Sequence, residues 1–242
     1  MPRRCRVHLD EVPLHIVQRG HNREPCFFAE ADYGIYLHWL AAALRDAQCA
    51  LHAYALMTNH VHLLVTPRRA VLVPKLLIAL GRRYVQHINT TYHRTGTLWE
   101  SRYKSSLIDA ASYLLTCMRY IELNPVCAGM VRDPADYRWT SYRANGLGRS
   151  DRLLTPHAVY AGLGHDDLAR QAAYRELFRH ELDREVVSDI RRALDRGNPL
   201  GNQRFREALE RALGRACLAR PRGRPRLAER HPHPQSNDTA LV

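Results

Sequence analysis

Two β-prone runs, Cys49 to Leu56 and Val61 to Thr66, are separated by only Met57-Thr58-Asn59-His60. So short a link permits an antiparallel strand pair, because parallel neighbours need a crossover of a dozen residues or more. The second run carries His60-Val61-His62. Side chains on a strand alternate between faces, so the two imidazoles share one face and can share one metal ion. Imidazole suits zinc and manganese, and a mixed nitrogen and oxygen site can also hold magnesium beside a phosphate. A His-x-His pair alone is also compatible with ordinary hydrogen-bonded histidines.

The flanking sequence completes a layered pattern. Leu14 to Arg19 is a short apolar run, read as a strand and followed by the polar turn Arg19-Gly20-His21-Asn22-Arg23. Ala31 to Ala47 is read as a helix with Leu37, Leu40, Ala41 and Leu44 on its core face. Pro74 opens a second helix in which Leu76, Leu77, Leu80, Tyr84 and Ile88 recur at helical spacing, with Arg82, Arg83 and His87 opposite. A strand over Tyr103 to Ile108 precedes a helix from Ala111 to Leu123, closed by Asn124-Pro125. The order β-α-β-β-α-β-α predicts an α+β domain, a ferredoxin-like antiparallel sheet with helices on one face, over residues 1–148. Four further helices are predicted near 156–163, 166–178, 183–195 and 202–213, a helical appendage over 149–218. Residues 219–242 lose all periodicity and are predicted to form a disordered basic tail.

The chain has 242 residues, 45% of them hydrophobic, enough for a full core, and a formal net charge of +12. That balance calls for a polyanionic partner. Lysine occurs only at Lys75 and Lys104, and the remaining positive charge is arginine, which forks onto phosphate oxygens or stacks on bases. Arg19, Asn22, Arg23, Arg82, Arg83, Arg94, Arg102 and Lys104 interleave with Tyr84, Tyr92, Trp99 and Tyr103, a mixture that can follow a backbone and stack unpaired bases. Arg220-Pro221-Arg222-Gly223-Arg224-Pro225-Arg226 resembles an AT-hook, with Arg222 and Arg224 placed for a narrow minor groove. No window approaches the roughly 18 apolar residues of a membrane span, and MPRRCRVHLDEVP lacks the apolar stretch of a secretory leader, so a cytoplasmic protein is expected. The cysteines form no C-x-x-C pair and are read as reduced thiols.

On the helix ending at Asn124, Tyr120 and Asn124 are one turn apart, so a phenol and an amide project together. Tyr120 on its own is more often a core tyrosine with a satisfied hydroxyl. The pair NHVHLLV and RYIELNPV, with VQRGHNREPCFF, AYALMTNH and RTGTLWESRYKSSLI, resembles the single-tyrosine HUH transposases and, within them, the REP-associated branch. The resemblance covers roughly residues 10 to 145. It implies that His60 and His62 bind Mg²⁺ or Mn²⁺, that Asn124 supplies a third ligand, and that Tyr120 attacks DNA to give a 5′-phosphotyrosine and a free 3′-hydroxyl. It also implies single-stranded or hairpin DNA carrying REP-like palindromes as partner, and a monomer, with a homodimer as the alternative. Two other functions stay open from sequence: a repeat-binding protein that has lost the reaction, and a hydrolase whose histidines activate water.

Overall fold

The computed structural model describes residues 6–214 and 216–217; Arg222, Arg224 and the predicted tail lie outside them. The chain runs β1 (Leu14–Arg19), α1 (Glu30–Asp46), β2 (Cys49–Met57), β3 (His60–Pro67), α2 (Val73–Thr91), β4 (Lys104–Leu107) and α3 (Ala110–Glu122). It continues through the short α4 (Asn124–Cys127), α5 (Tyr142–Asn145) and α6 (Ala158–Ala161) to α7 (Asp167–Glu176), α8 (Arg184–Arg196) and α9 (Gln203–Leu213). The strands form one antiparallel sheet in the order β2-β3-β1-β4. This is the ferredoxin-like arrangement read from the sequence, with β1 and β3 at its centre.

Strand parity divides the core in two. Leu14, Ile16, Val61, Leu63 and Val65 face α1 and α2, whose Tyr36, Leu40, Leu76, Leu80 and Tyr84 complete the first cluster. The core face of α2 is the predicted one, every member buried. That of α1 is rotated: Tyr36 and Ala43 are buried, while Leu37 and Ala41 are only half-buried. The large Tyr36 ring sets this rotation by packing edge-on against Tyr84, with centroids 5.0 Å apart.

The opposite face of the sheet is covered as well. Val17, Ala53, Ala55 and Leu64 pack against Leu114, Met118 and Ile121 of α3 and against Tyr174, Ile190 and Leu194 of α7 and α8. A bulge between Leu51 and Ala53 shifts the β2 register, so Leu51 joins the first core and Ala53 the second. Ala53 and Ala55 keep that side of β2 thin, which lets α3 close on the sheet. The segment read as an appendage therefore shares its core with α3. No helix among the described residues is long and apolar enough to cross a membrane.

Candidate active site

The site face of the sheet carries His60 and His62 on β3 and His15, Val17 and Arg19 on β1, with Val17 opposite His62 and Arg19 opposite His60. Tyr120 leaves the last turn of α3 toward this face. Its ring stands edge-on to both His62 and His15, centroid distances 5.9 Å. Val17, Arg19, Arg23, His60, His62, Arg102, Lys104, Tyr120, Asn124 and Arg191 line one cavity of about 520 Å³.

Each histidine is held through its Nδ1. Asn59 donates from Nδ2 to the Arg23 carbonyl at 2.9 Å, so its Oδ1, 2.7 Å from His60 Nδ1, is an acceptor. His60 is thereby fixed as the Nδ1–H tautomer, with the Nε2 lone pair free. His62 Nδ1 lies 2.9 Å from Nε2 of His15, a fully buried residue that sequence reasoning passed over. The rings of His60 and His62 are 4.9 Å apart. Burial, reinforced by Arg19, lowers His60 to about 4. Burial and then the charges of His15, His60, Arg19 and Arg191 hold His62 well below the imidazole range. Both rings are neutral at pH 7, the form that ligates a metal.

Asn124 begins α4 just past a break at Leu123, and its Nδ2 donates to the carbonyls of Tyr120, at 2.7 Å, and Ile121, at 3.4 Å. Its Oδ1 has no hydrogen-bond donor among the described residues. Burial raises the Tyr120 hydroxyl above an ordinary phenol, and Arg191 works against that rise through a hydrogen bond and its charge. Glu122 turns away from the cavity. It accepts from Ser141 Oγ, Asn145 Nδ2 and Tyr174 Oη at 2.6, 2.9 and 2.7 Å and ties α3 to α5 and α7.

Of the residues read from sequence as DNA contacts, Arg19, Arg23, Arg102 and Lys104 line the cavity with the four chemical groups. Arg23 is delivered there by a turn in which Asn22 and Arg23 have φ of 50° and 62°, and in which a Cβ on Gly20 would lie 2.2 Å from the Glu24 carbonyl. Asn22 itself does not line the cavity. Arg82 and Arg83 lie on α2, across the sheet, with Arg83 over the Trp39 ring. Arg94 covers Phe28, and Tyr103 is buried beneath Arg6 in the first core.

The fold is that of a solved structure described as a REP-associated tyrosine transposase bound to a REP hairpin. It is 15% identical, with a TM-score of 0.54 over 65% of this chain and 93% of that one. The family model for transposases of the IS200 type matches residues 8–124. That segment, just under half of the chain, is similar to the IS200-like transposases. That segment reaches from the strand bearing His15 to Asn124. A crystal structure of a putative transposase from Deinococcus radiodurans is 20% identical, with a TM-score of 0.33 over 43% of this chain and 84% of that one. No curated protein sequence matches the chain. Arg191 lies outside the segment that matches the transposase family. Nothing in its local sequence marks it, because what brings it to the cavity is the docking of α8 on β4 and β1.

Proposed function

We propose that the protein cuts and rejoins single-stranded DNA beside a hairpin, with Tyr120 as nucleophile and Mg²⁺ or Mn²⁺ held by His60, His62 and Asn124. The observation that carries this function is the convergence of all four side chains on one cavity. The donor set fits the cation: two neutral imidazoles and one amide oxygen leave room for phosphate oxygens and water. When bound, the cation supplies Lewis acidity at the scissile phosphate.

The chain's own residues do the rest. Arg19, Arg23, Arg102 and Lys104 draw the phosphate backbone to the cavity mouth. Tyr120 Oη forms a bond to phosphorus as the bond to the 3′ oxygen breaks; the phenol proton leaves to solvent and the 3′ oxygen takes one up. The product is a 5′-phosphotyrosine and a free 3′-hydroxyl. Because the link is still a phosphodiester, another 3′-hydroxyl can displace Tyr120 and reseal a strand without a nucleotide cofactor. The solved neighbour binds a REP hairpin, and the positive cavity wall suits the same class of partner, a palindromic hairpin with an adjacent single strand.

Labelled hairpin oligonucleotides with single-stranded flanks, incubated with Mg²⁺ or Mn²⁺ and run on a denaturing gel, test the proposal. Wild type is expected to give a covalent adduct that Tyr120→Phe lacks. Cleavage persisting in Tyr120→Phe would instead mean attack by water, and binding without cleavage under either cation would mean a repeat-binding protein.

A further inference from the structure

The C-terminal helices do more than cover the sheet. α8 packs against β4 and β1, on the face that carries the histidines. Its far end is fixed to β4: Ser106 Oγ donates to the Asn198 carbonyl at 2.6 Å, and Leu200 N donates to the Leu107 carbonyl at 2.8 Å. Lys104 Nζ reaches Asp195 Oδ1 at 2.7 Å. The helix begins on an Asp183 cap and ends at Gly197, whose φ of 65° stops it there. With both ends and the rotation set, Ile190, Ala193 and Leu194 are buried, and Arg191 and Asp195, one turn apart, reach the cavity.

Arg191 and Arg192 are adjacent but differently employed. Arg192 forms an ion pair with Asp189 along the helix surface. Arg191 has no carboxylate partner among the described residues; it stands exposed at the mouth of the cavity it lines together with Tyr120. A guanidinium has several donors in one plane, so one donor aimed at the phenol would leave others for a second oxygen. An arginine with no structural carboxylate, beside a nucleophile, is placed for a phosphate.

We propose that Arg191 is a catalytic residue, contributed by α8 from outside the family-matched segment, that holds the Tyr120 hydroxyl and a non-bridging oxygen of the scissile phosphate in one guanidinium fork. This rests on the Tyr120 chemistry proposed above. During attack Arg191 gains and loses no bond or proton; it is aimed at the charge that grows on the equatorial oxygens as the tyrosine–phosphorus bond forms and the bond to the 3′ oxygen breaks. The same contact would hold the phosphotyrosine in place for resealing.

The test is single-turnover adduct formation with the full chain, saturating hairpin and Mn²⁺, comparing wild type, Arg191→Gln, Arg191→Lys, Arg191→Ala, Arg192→Gln and Tyr120→Phe. Arg191→Gln is expected to slow adduct formation about 100-fold, the usual scale for one lost transition-state donor, with the hairpin Kd within about threefold of wild type. Arg191→Lys should fall between, and free guanidinium should restore part of the rate in Arg191→Ala. Arg192→Gln should match wild type. If Arg191→Gln reacts at the wild-type rate while Tyr120→Phe is dead, the role of Arg191 is overturned and Tyr120 chemistry stands. If Tyr120→Phe still cleaves, or wild type forms no adduct, both are overturned. A loss in Arg191→Gln that appears wholly in hairpin Kd, with no guanidinium rescue, would reduce Arg191 to a binding contact.

Discussion

His15 Nε2 on β1 lies 2.9 Å from His62 Nδ1 on β3, a diagonal pair across the two central strands. If His62 ligates through Nε2, its Nδ1 carries the hydrogen and His15 must accept it, so His15 fixes both the tautomer and the ring plane of its neighbour. His15→Ala is expected to lower cation affinity by about 10- to 100-fold, the usual cost of losing such a partner. His15→Gln, whose amide oxygen can accept the same hydrogen, should recover much of it. Isothermal titration with Mn²⁺ on folded protein measures both; equal affinity in wild type and His15→Ala would remove the role. His60→Ala should abolish cleavage while hairpin binding persists, and full cleavage in that variant would exclude His60 as a ligand.

The sheet separates two groups of arginines, and binding should divide the same way. Arg102 lines the cavity, whereas Arg83 lies over Trp39 on the other side of the sheet. Arg102→Ala is expected to weaken single-strand binding across sequences and to reduce the slope of log K against log salt by about one contact's worth, roughly 0.7. Arg83→Ala should leave slope and adduct yield unchanged. A larger effect from Arg83 would put the DNA path on the α2 side.

Glu122 makes stability depend on pH. Burial pushes its carboxyl from 4.5 up to about 7, although Ser141, Tyr174 and Asn145 all favour the charged form. The unfolded chain loses this proton near pH 4.5 and the folded one near 7, so the stabilisation is complete below the first value and lost as pH rises through the second. The predicted loss is about 3 kcal/mol over that window. Urea denaturation at pH 5 and pH 8 should show this difference between wild type and Glu122→Gln, where groups common to both cancel. Identical pH profiles would contradict it.

What the sequence made legible followed from periodicity. β1 and the two runs of the β2–β3 hairpin are short apolar or β-prone stretches and the buried face of α2 is a strong helical pattern, while His60, His62, Tyr120 and Asn124, which line one cavity, were singled out by close spacing together with the resemblance to the HUH transposases. His15 was not found because its importance comes from strand pairing, and a histidine inside an apolar run carries no local sign of what sits diagonally across the sheet. The register shift near His52, which directs Ala53 and Ala55 toward α3, is likewise a property of the paired strands. Arg191 needed the docking of α8, and Arg191-Arg192 reads as two equivalent surface charges until that docking separates them. The face of α1 was displaced because Tyr36 competes for burial with Leu37 and wins through its packing on Tyr84.

The most direct measurement is the chemical location of the DNA link. After reaction with hairpin substrate and Mn²⁺, nuclease trimming and trypsin digestion, mass spectrometry should find a nucleotide phosphate on the peptide spanning 120–132, on the hydroxyl of Tyr120. A link at another tyrosine such as Tyr113, or cleaved DNA with no protein attached, would contradict the account.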